Sequence, residues 1–220
     1  MRTSFFRTTF QSTFVLAAFA GMLAFAQQNQ APEAKVKPVS AAADSASSIA
    51  PVVDDKFVHD HFGNEFTLMT EFPAMIGDLN GDGIDDLVVA ARTKSPMLDA
   101  GGYGYAVIDP YHSFYGFGDP KVTAGFTNDD PTRKSIVLLV IHGSGPDAWR
   151  AEQPKGKFVL INVPVQTVSM RRVKMGKKVL TAIGVEEYGF DRTTSAIFWD
   201  GNVKKNTGGY KYQPIGAALD

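Results

Sequence analysis

Residues 77–89 read Gly77-Asp78-Leu79-Asn80-Gly81-Asp82-Gly83-Ile84-Asp85-Asp86-Leu87-Val88-Val89. Oxygen-bearing side chains recur at alternate positions, Asp78, Asn80 and Asp82, and a further carboxylate follows at Asp86. In a short loop that spacing turns alternate side chains toward one centre, and hard oxygens are what a divalent cation such as calcium takes. Counted from Asp78, the ligand positions 1, 3 and 5 are filled, Gly83 at position 6 permits a sharp turn, and the Ile84 carbonyl and Asp86 follow at positions 7 and 9. Water would complete the shell. Magnesium fits less well, because a multidentate oxygen loop suits the larger and geometrically more tolerant ion. An EF-hand would need a Glu at position 12 between two helices, and position 12 is Val89 in a β-branched run. The competing reading is a plain polar turn, since Asn, Asp and Gly also dominate metal-free turns. Three spaced ligands, the glycine and a fourth acid together favour calcium, held by Asp78, Asn80, Asp82, the Ile84 carbonyl and Asp86.

Other residues carry weaker chemical signals. Val137 to Gly145 contains His142-Gly143-Ser144-Gly145 after an apolar run, which resembles the strand and oxyanion turn of α/β-hydrolases. Such an enzyme needs a Gly-x-Ser-x-Gly elbow and a later histidine, and neither follows His142, so a buried strand ending in a glycine turn is the favoured reading. His59-Asp60-His61 lacks a third ligand cluster for a transition metal and reads as an edge strand or a solvated start to the domain. Tyr103, Tyr105, Tyr111, Phe114, Tyr115 and Phe117 form an aromatic stretch that reads first as core packing and second as a sugar-stacking surface. Arg171, Arg172, Lys174, Lys177 and Lys178 concentrate charge on one expected hairpin, where solvated edge protection is favoured over docking of a polyanion. Glu186 and Glu187 are adjacent, so on a strand they face opposite sides and make no hydrolytic pair.

The elements that must position these groups are short strands punctuated by Gly, Pro and Asp. The clearest are Phe66 to Thr70, Leu87 to Arg92, Tyr103 to Ile108, Ile136 to His142, Phe158 to Val163, Val179 to Val185 and Ser195 to Trp199. Ile136 to Ile141 is unbroken apolar sequence and suits a central strand covered on both faces. Lys174 to Lys178 and Asp200-Gly201 read as hairpin turns. No long segment shows helical periodicity with caps, so the expected fold is mostly β.

The first 26 residues read as a cleaved export signal: Arg2 and Arg7 precede an apolar run, Phe14 to Phe25, that ends at Ala24-Phe25-Ala26. That run is about a dozen residues, short of the roughly 20 that span a bilayer, and the mature chain carries no membrane segment. Residues 27–53, rich in Ala, Ser, Gln and Pro, read as a flexible linker, with at most a short helix around Ala41 to Ile49. Residues 54–220 form the β-rich domain. Removing Arg2 and Arg7 leaves 20 basic against 23 acidic side chains, a charge of −3, which argues against a general nucleic-acid binder. With no cysteine, an exported domain of this kind relies on its core or on bound ions rather than on disulfides.

Phe62-Gly63, the acidic loop with Leu87-Val88-Val89, and Gly101-Gly102-Tyr103-Gly104-Tyr105-Ala106-Val107-Ile108 together resemble one FG-GAP (VCBS-type) repeat, the calcium-binding blade unit of integrin-type β-propellers. The resemblance covers about residues 62–108, with Ala90-Ala91-Arg92 where Gly-Ala-Pro is usual. It implies a loop joining adjacent strands and ligand roles for the five positions named above. A complete propeller needs about 16 strands, against the seven to ten legible here. The expectation is therefore a compact antiparallel sheet or sandwich with one blade-like unit. The functional expectation is an exported, periplasmic or secreted, non-enzymatic module with structural calcium. An adhesion or carbohydrate-binding protein engaging a cell-surface protein or polysaccharide is the alternative, and a hydrolase at His142 comes third.

Overall fold

A computed structural model describes residues 53–116, 126, 130, 133–202 and 207–215, all within one contact unit spanning 47–220. The expected leader, all of the expected linker but Val53, and Phe117 lie outside the described residues.

The centre of the molecule is the strand pair β3 (Asp86–Arg92) and β5 (Ile136–His142), antiparallel with Leu87 opposite Ile141 and Ala91 opposite Val137. Successive side chains on a strand point to opposite faces. Val88, Ala90, Leu138 and Val140 accordingly enter one core cluster, while Leu87, Val89, Ala91, Val137, Leu139 and Ile141 enter another. Both faces of this pair are therefore covered, which is why its sequence is apolar without alternation. Strand β1 (Thr67–Leu68) and strand β2 (Met75–Gly77) pair with β3; β6 (Gly156–Leu160) pairs with β5, and β4 (Ala106–Ile108) closes the far edge. The β4–β6 ladder is parallel, so this sheet is mixed where an antiparallel one was expected.

A second, wholly antiparallel sheet runs β10-β9-β8-β7, from β7 (Val165–Met175), β8 (Lys178–Glu187), β9 (Ser195–Asn202) and β10 (Thr207–Pro214). Ile183, Val185, Ile197, Trp199 and Tyr210 lay this sheet against the first through the cluster that holds Val88 and Val140. The fold is mostly β with two sheets sharing a core, as expected, and it is not a closed barrel. The other face of the first sheet is covered by helix α1 (Asp55–Phe62) and by Trp149 of a short 3₁₀ segment, Gly145–Arg150.

Helix α1 replaces the edge strand expected around His59. Asp54 caps it by accepting from the Phe57 N–H at 2.8 Å, Gly63 ends it at φ 100°, and Val58 and Phe62, four apart, are its buried face. Tyr103, expected in a strand, ends the short helix α2 (Ala100–Tyr103), whose C-cap Gly104 is left-handed at φ 66°. Asp200-Gly201, expected as a turn, lies inside β9, where Gly201 pairs with Gly208; a Cβ on Gly208 would overlap the Gly201 Cα. That glycine pair serves close approach of two strands rather than chain reversal. The expected turn at Gly176 is present, with Met175 opposite Lys178 and Gly176 at φ 61°. Arg171, Arg172, Lys174, Lys177 and Lys178 are exposed on that hairpin, whose outer strand β7 is the edge of its sheet among the described residues.

Candidate functional site

The acidic loop joins β2 to β3, closed by the pair Gly77 and Asp86. Within it the side chains bind the backbone ahead of them. Asp78 accepts the N–H groups of Gly81 (2.7 Å), Asp82 (3.0 Å) and Gly83 (2.9 Å). Asn80 Oδ1 accepts from Asp82 N–H at 3.0 Å, and Asp82 Oδ1 from Ile84 N–H at 2.9 Å. These successive Asx turns wind the chain tightly, and Gly81 (φ 79°) and Gly83 (φ 83°) supply the left-handed backbone that the winding requires. Leu79, 3% exposed, anchors the loop in the core.

Asp86 is fully buried and ties the loop to the central strand. Its Oδ2 accepts from Leu79 N–H (2.8 Å) and Asn80 N–H (3.3 Å), and its Oδ1 from Gly143 N–H (2.8 Å) just past the end of β5. Burial pushes its carboxyl up to about 7, with the Gly143 and Leu79 donors pulling the other way. Gly143 admits no side chain, because a Cβ would overlap the Asp85 carbonyl oxygen and crowd Ala148 and Ile84. Asp82 Oδ2 meets Lys155 Nζ at 2.5 Å. Burial works to raise the Asp82 carboxyl, but the Lys155 and Ile84 donors outweigh it and hold it below the ordinary range.

Next to Gly143 lies His142, also fully buried, with Nε2 2.7 Å from the Tyr210 hydroxyl and its ring packed among Phe158, Trp199 and Tyr210. Burial pushes the imidazole down to about 4, against the pull of Asp82 and Asp78. Nδ1 has no hydrogen-bond partner among the described residues. The Gly143 N–H is spent on Asp86, and the partner of His142 is a buried phenol. The Gly143 N–H is therefore not free to act as an oxyanion donor.

Of the five expected ligand residues, Asn80 and Asp86 are buried, and Asp78, Asp82 and Ile84 are half-buried on one loop. Their donor set of three carboxylates, a carboxamide and a main-chain carbonyl suits a hard cation. Among the described residues no three His, Cys, Asp or Glu side chains converge as a metal-holding group; Asp86 faces backbone donors and Asp82 faces Lys155. Lys155, His142, Gly143 and Tyr210 were not anticipated beside the loop, and no local spacing connects them to it.

The remaining candidates separate. His59 Nε2 bonds the Phe66 carbonyl at 2.9 Å while His61 packs on Phe57 at 4.4 Å, so the two rings have unrelated surroundings. Glu186 accepts from Thr167 and Glu187 from Tyr212, on opposite sides of β8. Tyr105 is buried between Phe62 and Phe66, whereas Phe114 and Tyr115 are 48% and 49% exposed. Comparison of the chain with protein families, with curated proteins and with solved structures returns no match. No helix among the described residues is long and apolar enough to cross a membrane.

Proposed function

We propose that the chain is an exported, non-enzymatic β module whose loop, Asp78 to Asp86, binds calcium as a structural ion. Asp78, Asn80, Asp82, Asp86 and the Ile84 carbonyl would hold it, and the ion would draw these oxygens together, balance the charge of the loop's acids and fix the register of β2 and β3. The observation that carries this reading is the ladder of Asx turns, in which the side chains at positions 1, 3 and 5 are each oriented by amides of the same loop. The resemblance to an FG-GAP repeat supports the same assignment.

The test is thermal unfolding with calcium, with magnesium and with chelator, on the intact chain and on Asp82→Ala. Calcium at about 100 times its dissociation constant stabilises a folding-linked site by roughly 2.7 kcal/mol. The intact chain is expected to respond to calcium and the variant to lose that response; an intact chain indifferent to calcium overturns the reading.

A second reading, adhesion or binding to a cell-surface protein or polysaccharide, is favoured by one observation. Helix α3 (Pro110–Phe114) and Tyr115 present two half-exposed rings backed by Tyr111 and Tyr212, with centroids 5.0 to 6.3 Å apart across Phe114, Tyr115, Tyr111 and Tyr212.

A further inference from the structure

Beside that aromatic face lies a cavity of about 300 Å³, at the lower end of the range for small-molecule sites. Tyr111 belongs to both, lining the cavity and packing on Tyr115 at 5.1 Å. Its lining also holds a stacked pair, with the Arg133 guanidinium carbon 3.4 Å from the centre of the Tyr188 ring. Ser135 and Asn162 complete the polar part of the lining.

Three features distinguish this cavity from a packing defect. Among the described residues only three that are not glycine have a positive φ, and two of them, Ser135 (73°) and Asn162 (60°), line it. Such conformations cost energy and persist where the surroundings over-determine them, which is a pattern of binding sites. Second, the Asn162 amide is fixed by its Nδ2 donating to buried Asp109 at 2.6 Å, with Asp109 also holding His112 at 2.7 Å. Third, the Arg133 Nε lies 3.2 Å from Asp130 Oδ2 but off the hydrogen-bond direction, so a buried N–H donor in the wall has no hydrogen-bond partner.

We infer that this cavity is a saccharide subsite, taking one neutral sugar ring between Tyr111 and the Arg133–Tyr188 stack, with the chain of sugars continuing over Phe114 and Tyr115. Aromatic walls suit the apolar faces of a pyranose, and oriented amide, hydroxyl and guanidinium groups suit its hydroxyls. Charge selects the neutral class. One guanidinium is already countered by Asp130, Asp109 stands behind Asn162, and Glu187 accepts from Tyr212, whose ring packs on Tyr111. An anionic sugar would meet those acids, and a cationic one would meet Arg133. The inference deepens the second reading above and rests on it for the ligand class alone; it is independent of calcium.

The experiment is NMR titration of the purified protein with neutral mono- and oligosaccharides (glucose, galactose, mannose and N-acetylglucosamine series) and with glucuronic acid, to about 20 mM, beyond the millimolar affinity of a weak site. Amide shifts are expected to cluster at Tyr111, Ser135, Asn162 and Tyr188 in the unmodified protein. Tyr188→Ala and Arg133→Met are each expected to weaken binding about tenfold, with Tyr188→Phe retaining most of it as the milder variant. Binding that depends on Phe114 and Tyr115 while Tyr188→Ala and Arg133→Met bind normally overturns the cavity assignment and leaves the aromatic face standing. Preference for glucuronic acid overturns the neutral class, and no response to any sugar overturns the subsite together with the polysaccharide half of the second reading, leaving adhesion to a protein.

Discussion

The acidic loop and the tyrosine-lined cavity both hold oriented polar groups on left-handed backbone, but they obtain that backbone differently. In the loop the positive φ falls on Gly81 and Gly83, where it costs little, and the side chains that stabilise the winding are two to five residues away. In the cavity it falls on Ser135 and Asn162, and Asn162 is held by Asp109, distant in sequence. A conformation set by its own residues can be read from them, whereas one imposed by the rest of the fold cannot.

The contrast can be broken at three points. The largest expected effect is at Gly143, where the loop ceases to be local. Gly143→Ala forces a Cβ into the Asp85 carbonyl oxygen and is expected to destabilise by about 4 kcal/mol or more, read by chemical denaturation. A cost near that of an ordinary surface substitution would show that the loop and the end of β5 are not in register.

Next comes a pair of opposed pH effects. Asp86, raised from 3.8 to about 7 on folding, contributes stability that is full below about 4 and lost as pH rises through about 7. His142, lowered from 6.5 to about 4, contributes stability that is full above about 6.5 and lost as pH falls through about 4. They are worth about 4 and about 3 kcal/mol respectively, so across pH 4 to 7 they largely cancel. Asp86→Asn is expected to leave a protein that weakens on acidification, and His142→Gln one that weakens as pH rises. Denaturation midpoints between pH 4 and 7 decide it, and parallel slopes in the two variants would refute the assignment.

The smallest effects bear on the contrast itself. Gly83→Ala, at φ 83° with open space around it, is expected to cost about 1 kcal/mol, and Ser135→Gly, at φ 73°, to gain somewhat less than that. Opposite signs in thermal melts support the distinction; equal signs remove it.

The apolar run of β5 announced a strand buried on both faces because every residue from Ile136 to His142 is buried. Of the loop, the sharp left-handed turn at Gly83 was legible, whereas the side-chain bonds to its own amides were not. Nor was helix α1, because eight residues with only Val58 and Phe62 buried give too short a period, and the helix is held by partners such as Leu68, whose N–H bonds Asp55 at 2.7 Å. Strand β10 is Gly-rich and ends in Pro214, and only its ladder with β9 makes it a strand. Basic residues made β7 read as hairpin surface, although Val165, Val168 and Val173 are buried along it. The fold class and the turn at Gly83 were thus local knowledge, while Lys155, Tyr210 and the cavity arise from contacts between distant segments.

Each face of the central sheet also carries one indole. Trp149 packs edge-on to Phe57 at 5.5 Å on the helix-covered side, and Trp199 stands edge-on to His142 at 4.7 Å on the side shared with the second sheet. With these two tryptophans alone in the chain, single replacements leave one fluorophore per layer. The Trp199 channel reports the charge of His142, since a protonated imidazole quenches a neighbouring indole, while the Trp149 channel reports the docking of α1. Emission can therefore time the separation of the two layers during unfolding without any added label.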